Sequence, residues 1–354
     1  MHSPRQPLRR LVVPLVVTAA LNPTSAYALG EPGHEGKPSG DTGNHSVNAS
    51  VSDSQIKIIH VSGGGGGKKG NLAPIDANWK PPACWYEPLF TPEQLKQAVK
   101  KNQVSDVGIH EFWSNGVFVD HYEKGISDKN FDGAWSTAPG YKNYNIGQKG
   151  YFWRSVAPDV HDEDSWDCGR IMFWQDANTV PKIPHAPTPK MLADYAYNQV
   201  KVPDTEVELK PATKSTVNLP TWVWLDRASF QEVKVRAELP HTGLWAETTA
   251  KPVSLHLDPG TEDAETYPSS GDCSFKADGS IGTPYAKGDA TKTPPCGINY
   301  LRATNGEPFQ LKASITWKIT WEGSDHDGVH HDLPNGTFET TQDMNVQEIQ
   351  AINR

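Results

Sequence analysis

After residue 28 the sequence has no apolar run approaching the roughly 20 residues that cross a bilayer as a helix. It also has no Gly-x-Ser-x-Gly, no His-Glu-x-x-His and no Cys-x-x-Cys. The first two absences remove the local signatures of a serine-hydrolase elbow and a zinc protease. The third removes the commonest cysteine spacing of a structural zinc site. A secreted hydrolase with an unrecognised site stays open, because paired carboxylates are defined by separation in space rather than by a motif. Cationic character is lacking as well. The formal charge is −9, and it becomes −12 once Arg5, Arg9 and Arg10 are removed with the leader described below. An acidic surface opposes phosphate backbones, so no nucleic acid partner is expected.

What is present begins with an export signal. Arg5, Arg9 and Arg10 form a charged start with no acidic residue before Glu31, and the apolar run Leu11 to Leu21 follows. Ala26-Tyr27-Ala28 supplies the small residues that a signal peptidase needs, so cleavage is expected between Ala28 and Leu29. The apolar run is broken by Pro14 and too short for an anchor. Arg9-Arg10 would also suit a twin-arginine route, although general secretion fits the segment as well. Leu333-Pro334-Asn335-Gly336-Thr337 has the wrong order for a sortase signal and no apolar tail. The expectation is a secreted or cell-surface protein with no transmembrane segment in the mature chain.

Cysteine is scarce: Cys84, Cys168, Cys273 and Cys296 are the whole complement, an even number that suits an oxidising compartment. Cys273 and Cys296 close a short loop within one C-terminal stretch, which leaves Cys84 for Cys168. Zinc is the rival reading of the four, and the missing Cys-x-x-Cys weighs against it.

Residues 29–80 read as a flexible, Gly-rich tether containing one short apolar piece, Ile56 to Val61. The run after Ser62 is no phosphate loop. Ser62 stands where the first Gly belongs, and Lys69 replaces the hydroxyl residue that would hold magnesium. From residue 81 the composition becomes aromatic. Thr91-Pro92-Glu93-Gln94 is a capping box with Pro at the first helical position, predicting a helix to about Lys101. Strands are expected over Gly116 to Tyr122, Gly150 to Val156 and Gly169 to Trp174, and a second helix over Thr188 to about Val200. The C-terminal part alternates. Val233, Val235, Ala237 and Leu239 are separated by charged residues, and Val253, Leu255 and Leu257 by polar ones. Phe309 to Trp321 keeps the same period throughout. Such alternation directs one face to a core and the other to water. At ~3.4 Å per residue the last strand would exceed about 40 Å, so a bend or bulge is expected in it. The fold expected is an α+β module over 81–217, then an all-β antiparallel sandwich over 218–354.

Several stretches together carry a resemblance: Pro82-Ala83-Cys84-Trp85-Tyr86-Glu87-Pro88, Lys149 to Arg154, Asn218 to Asp226, Gly282-Thr283-Pro284-Tyr285, Pro294-Pro295-Cys296-Gly297 and Val346 to Arg354. On these the sequence resembles a family of exported actinobacterial proteins with no assigned activity. Members of that family sometimes carry labels such as ATP/GTP-binding protein or enoyl reductase. The residues argue against both, since the phosphate-loop parts are missing and no strand leads into a Gly-x-Gly-x-x-Gly with a later acid for a ribose. No cofactor is expected. Residues 218–354 are also similar to a PKD-type or immunoglobulin-like surface module, although Leu257 to Asp263 departs from the Trp-Asp-Phe-Gly-Asp-Gly turn of PKD domains.

Three clusters invite a site. Asp325-His326-Asp327-Gly328-Val329-His330-His331-Asp332 offers nitrogen and oxygen ligands for zinc, copper or nickel, but adjacent histidines do not easily face one ion. His161 to Asp167 is acidic without the spacing of a calcium loop. Trp222 and Trp224, like Trp317 and Trp321, share a strand face. Exposed, they could stack on sugars; in the apolar register they are core. No catalytic, cofactor or metal residue is assigned. The function expected is a non-enzymatic structural or interaction module with a cell-wall or surface-protein partner, the alternative being a cell-wall polysaccharide binder.

Overall fold

The computed structural model describes residues 54–63, 69–104, 115–127, 140–203, 207–212, 214–225, 230–325 and 328–349. The leader, its Ala28/Leu29 junction and the tether up to residue 53 lie outside the described residues.

Among the described residues antiparallel sheet dominates, with strand at 43% and helix at 14%. The N-terminal half contributes β1 (Lys57–Ser62), β2 (Lys69–Asn71), β3 (Ala73–Pro74), β4 (Trp85–Phe90), α1 (Pro92–Lys100), α2 (Asn115–Phe118), β5 (Gly150–Val156), β6 (Phe173–Asp176) and α3 (Pro189–Asn198). After it come β7 (Lys201–Pro203), β8 (Glu208–Lys210), β9 (Lys214–Thr216), β10 (Thr221–Leu225), β11 (Val233–Leu239), β12 (Leu244–Asp258) and β13 (Ala264–Tyr267). The last five are β14 (Asp272–Ser274), β15 (Ile281–Gly282), β16 (Gly297–Tyr300), β17 (Phe309–Gly323) and β18 (His331–Gln347).

An eight-stranded sheet runs β1-β11-β12-β17-β18-β3, with β14 on β12 and β9 on β18. A five-stranded sheet runs β13-β16-β10-β15, with β8 on β10. Leu311, Ala313 and Ile315 of the first sheet and Val223, Ile298 and Tyr300 of the second belong to one core. Cys273 lies in β14 and Cys296 immediately precedes β16, so their disulfide joins the two sheets. β4, β5 and β6 form a separate three-stranded sheet, and Cys84, just before β4, is bonded to Cys168.

Two expectations shift here. Lys57–Ser62, placed in the tether by the sequence, is an edge strand antiparallel to β11, and Ile56 is buried. Alternate apolar residues give this short piece one face to bury, which the glycines after it do not. β1 does lead into Gly65-x-Gly67-x-x-Gly70. The chain continues into β2 and β3, not into a helix that would aim N–H groups at a pyrophosphate. The second shift concerns the 217/218 boundary, which runs through the main core. Trp85, Leu192 and Tyr195 share that core with Val235, Ala250 and Trp317.

α3 is the link. Thr188 caps it by accepting from Met191 N at 3.1 Å, and every residue from Met191 to Tyr197 is buried. One side lies on the large sheet, where Thr248 Oγ1 donates to Ala193 O at 3.0 Å; Trp85 and Trp79 cover Tyr195 and Tyr197. A helix covered on both sides does not keep the narrow apolar stripe of a surface helix.

Gly116 to Tyr122 is not a strand. It forms α2 and then one π-helical turn, Val119–Glu123. Phe118 stacks on Tyr122 one turn later, and His121 and Tyr122 are buried side by side, a pattern that period two forbids. Of the segment Gly169 to Trp174, only Phe173 onward is strand.

β17 keeps its alternation over all 15 residues. The irregularities expected in it sit instead on both neighbours, in β12 between Pro252 and Ser254 and in β18 opposite Trp317–Ile319. One extra residue in β12 reverses its parity, so Ala246, Ala250 and Pro252 face inward before it and Leu255 and Leu257 after it. Val253, expected inward, is the residue displaced to the outside.

Candidate functional site

An open polar concavity of about 540 Å3 lies beside the Cys84–Cys168 bridge. Its charged walls come from three parts of the chain: Lys80 before β4, Asp164 and Asp167 from the turn Glu163–Cys168, and His185, Lys190 and Asp194 at the start of α3. Each is positioned by local chemistry. Asp162 accepts from Asp164 N at 3.0 Å and so opens the turn, and the disulfide fixes that turn against β4. Helical spacing brings Lys190 Nζ to 2.7 Å from Asp194 Oδ2.

Asp194 is buried, and desolvation raises its carboxyl above the ordinary value; Lys190 and the Trp79 indole work in the opposite direction. Its Oδ1 is sealed from solvent and receives no hydrogen bond of normal geometry. Across the cleft, His185 holds a left-handed backbone with φ at 58° and sets Nε2 3.9 Å from Asp167 Oδ2. The two sulfurs and one nitrogen of His185 lie within 4.8 Å of one another, the one such convergence of metal-type ligands among the described residues. In the oxidised protein those sulfurs are bonded to each other and neither is a thiolate ligand.

The acidic stretch His161 to Asp167 is therefore divided in purpose. Asp162, with Asp159 just ahead of the stretch, serves the turn, while Asp164 and Asp167 face the cleft. The Asp325–Asp332 cluster does not converge among its described members. His330 lies 3.8 Å from Glu322, His331 stacks on Trp321, and Asp332 lies 3.4 Å from Lys318; residues 326 and 327 are outside the described residues. Trp222, Trp317 and Trp321 are buried and Trp224 is half-buried, so these rings fill the core rather than form a stacking row.

Glu87 is a different kind of buried charge. It is fully buried, and Oε1 accepts from Arg154 Nε and Nη2 at 3.2 and 3.0 Å. Oε2 accepts from Ser54 Oγ at 2.9 Å and Gln55 N at 3.0 Å. With both oxygens occupied, the carboxylate fastens the segment before β1 to β4 and β5. The sequence singled out neither Glu87 nor Lys80, His185, Lys190 and Asp194. The one local signal was the i,i+4 pair Lys190/Asp194 behind a clear helix start.

Compared with protein-family models, curated proteins and solved structures, the chain matches none.

Proposed function

We propose that this protein works outside the cytoplasm as a secreted or cell-surface interaction module, binding a partner rather than transforming a substrate. The observation that carries the reading is the placement of its two disulfides. One fastens the two sheets together and the other borders the polar cleft through Cys84. Such bonds persist in oxidising compartments, and no helix among the described residues is long and apolar enough to cross a membrane. The export signal and the resemblance to exported actinobacterial proteins support the same location. Two mainly antiparallel sheets around one core support the analogy with PKD-type or immunoglobulin-like surface modules. In this reading the protein partner is a component of the cell surface.

The cleft favours a second reading, a cell-wall polysaccharide binder. Its lysines and carboxylates together can donate to and accept from sugar hydroxyls.

The mature chain, starting at Leu29, is tested against intact cells, stripped surface proteins and purified wall polysaccharide. Saturable capture of one surface protein, competed by untagged chain, is expected. Retention on polysaccharide alone moves the second reading ahead, and turnover of wall material without saturable binding contradicts both.

A further inference from the structure

We propose that the Cys84–Cys168 disulfide is the oxidised state of a metal site, which a dithiol reductant converts into a Cys2His centre for zinc with His185 as the third ligand. The proposal goes beyond the binding reading above and does not depend on which surface the protein meets.

The ligand set is already assembled. Two sulfurs and an imidazole nitrogen stand within 4.8 Å of one another. Zinc–sulfur and zinc–nitrogen bonds of about 2.0–2.3 Å place tetrahedral ligands roughly 3.5–4 Å apart, so the released sulfurs must move apart from bonding distance while the imidazole is already within reach. Asp167 Oδ2 lies 3.9 Å from His185 Nε2, within ion-pair reach of the imidazole. A carboxylate on the second nitrogen is the usual means of orienting a ligating imidazole. Cys84 lies on the cleft wall, which provides a path for the ion and a water for the fourth position. Cys168 is completely buried and Cys84 retains a little exposure on the cleft wall, so attack is assigned to the Cys84 sulfur.

The exchange balances. A thiolate of the dithiol attacks Cys84 Sγ, the Cys84–Cys168 bond breaks, and Cys168 leaves as thiolate and takes up a proton. The second thiol of the reductant then attacks the mixed disulfide, closes the reductant into its own disulfide and expels Cys84. The cystine gains two electrons and the dithiol loses two. Zinc binding then displaces the proton of each cysteine thiol. Cys273–Cys296 gathers no comparable histidine among the described residues and serves as the internal control.

The test uses the mature protein, reduced anaerobically with a phosphine that is then removed, and titrated with Co2+ and afterwards Zn2+. A thiolate-to-cobalt charge-transfer band is expected at one equivalent, displaced by zinc and absent before reduction. The Cys273→Ser/Cys296→Ser variant retains the band, and Cys84→Ser/Cys168→Ser abolishes it. Asp167→Asn weakens zinc binding by about 10-fold, and His185→Ala by more than that. No band after reduction, or a band indifferent to His185→Ala, overturns the proposal. Near-ultraviolet circular dichroism guards against unfolding. A reduced chain that loses its signal and regains it with zinc supports the site, and one that zinc does not restore counts against it.

Discussion

At Glu87 a carboxylate sits out of contact with water and accepts from Ser54, Gln55, Trp85 and Arg154. Removing one partner of such a pair leaves the other charge buried without compensation, at a cost of about 3–5 kcal/mol. Glu87→Ala is therefore expected to lower the unfolding free energy from urea titration by that amount, with little effect from exposed pairs such as Lys124–Asp120. Asp194 gives a pH signature of opposite sense to an ordinary paired carboxylate. Burial raises its folded pKa above the ordinary 3.8, so the folded state binds the proton more tightly than the unfolded state. Its contribution to stability is greatest at low pH and declines as pH rises from 3.8 through the folded value. Asp194→Asn should flatten that decline in urea titrations; a steeper decline in the variant would show that the sign is wrong.

Among the elements, those set by local chemistry were legible and those set by distant neighbours were not. α1 is a case of the first kind. Thr91 Oγ1 accepts from Gln94 N at 3.2 Å while Gln94 Oε1 accepts from Thr91 N at 2.8 Å. Thr91→Ala should cost about 1 kcal/mol in thermal or urea denaturation. β11 and β17 were equally readable, because one face of each meets a core and the other meets water. Val253 was misplaced because a bulge reverses parity without leaving any mark in the alternation of its neighbours. The π-helical turn was missed because its burial depends on Tyr141, Phe152 and Met172, residues distant in sequence. The cleft was illegible for the same reason: a disulfide brings the turn to the segment before β4, and α3 joins them through core packing of Tyr195 on Trp85. Gly336 marks another such meeting. A Cβ there would stand 2.7 Å from Tyr197 Oη and 2.9 Å from Leu72 Cβ, so Gly336→Ala should cost about 1–3 kcal/mol in the same assay.

Over the whole molecule, the two bridges do separate jobs. Cys273–Cys296 spans 23 residues and joins the sheets, and Cys84–Cys168 spans 84 and anchors the cleft. Loop-closure entropy assigns roughly 3 and 4–5 kcal/mol to bridges of these lengths. The pairing in the structure is the one that loop length favoured in the sequence, whereas the continuity of the core through α3 was not visible there. Reducing both bridges should lower the melting temperature far more than either cysteine-to-serine pair alone.

The most direct measurement is peptide mapping by mass spectrometry, without reduction, of the protein recovered from its native cells. The account predicts an extracellular or surface-held chain beginning at Leu29, with cross-linked peptides joining Cys84 to Cys168 and Cys273 to Cys296. A chain in the cytosol that still carries Met1, with all four thiols open to alkylation, would contradict it.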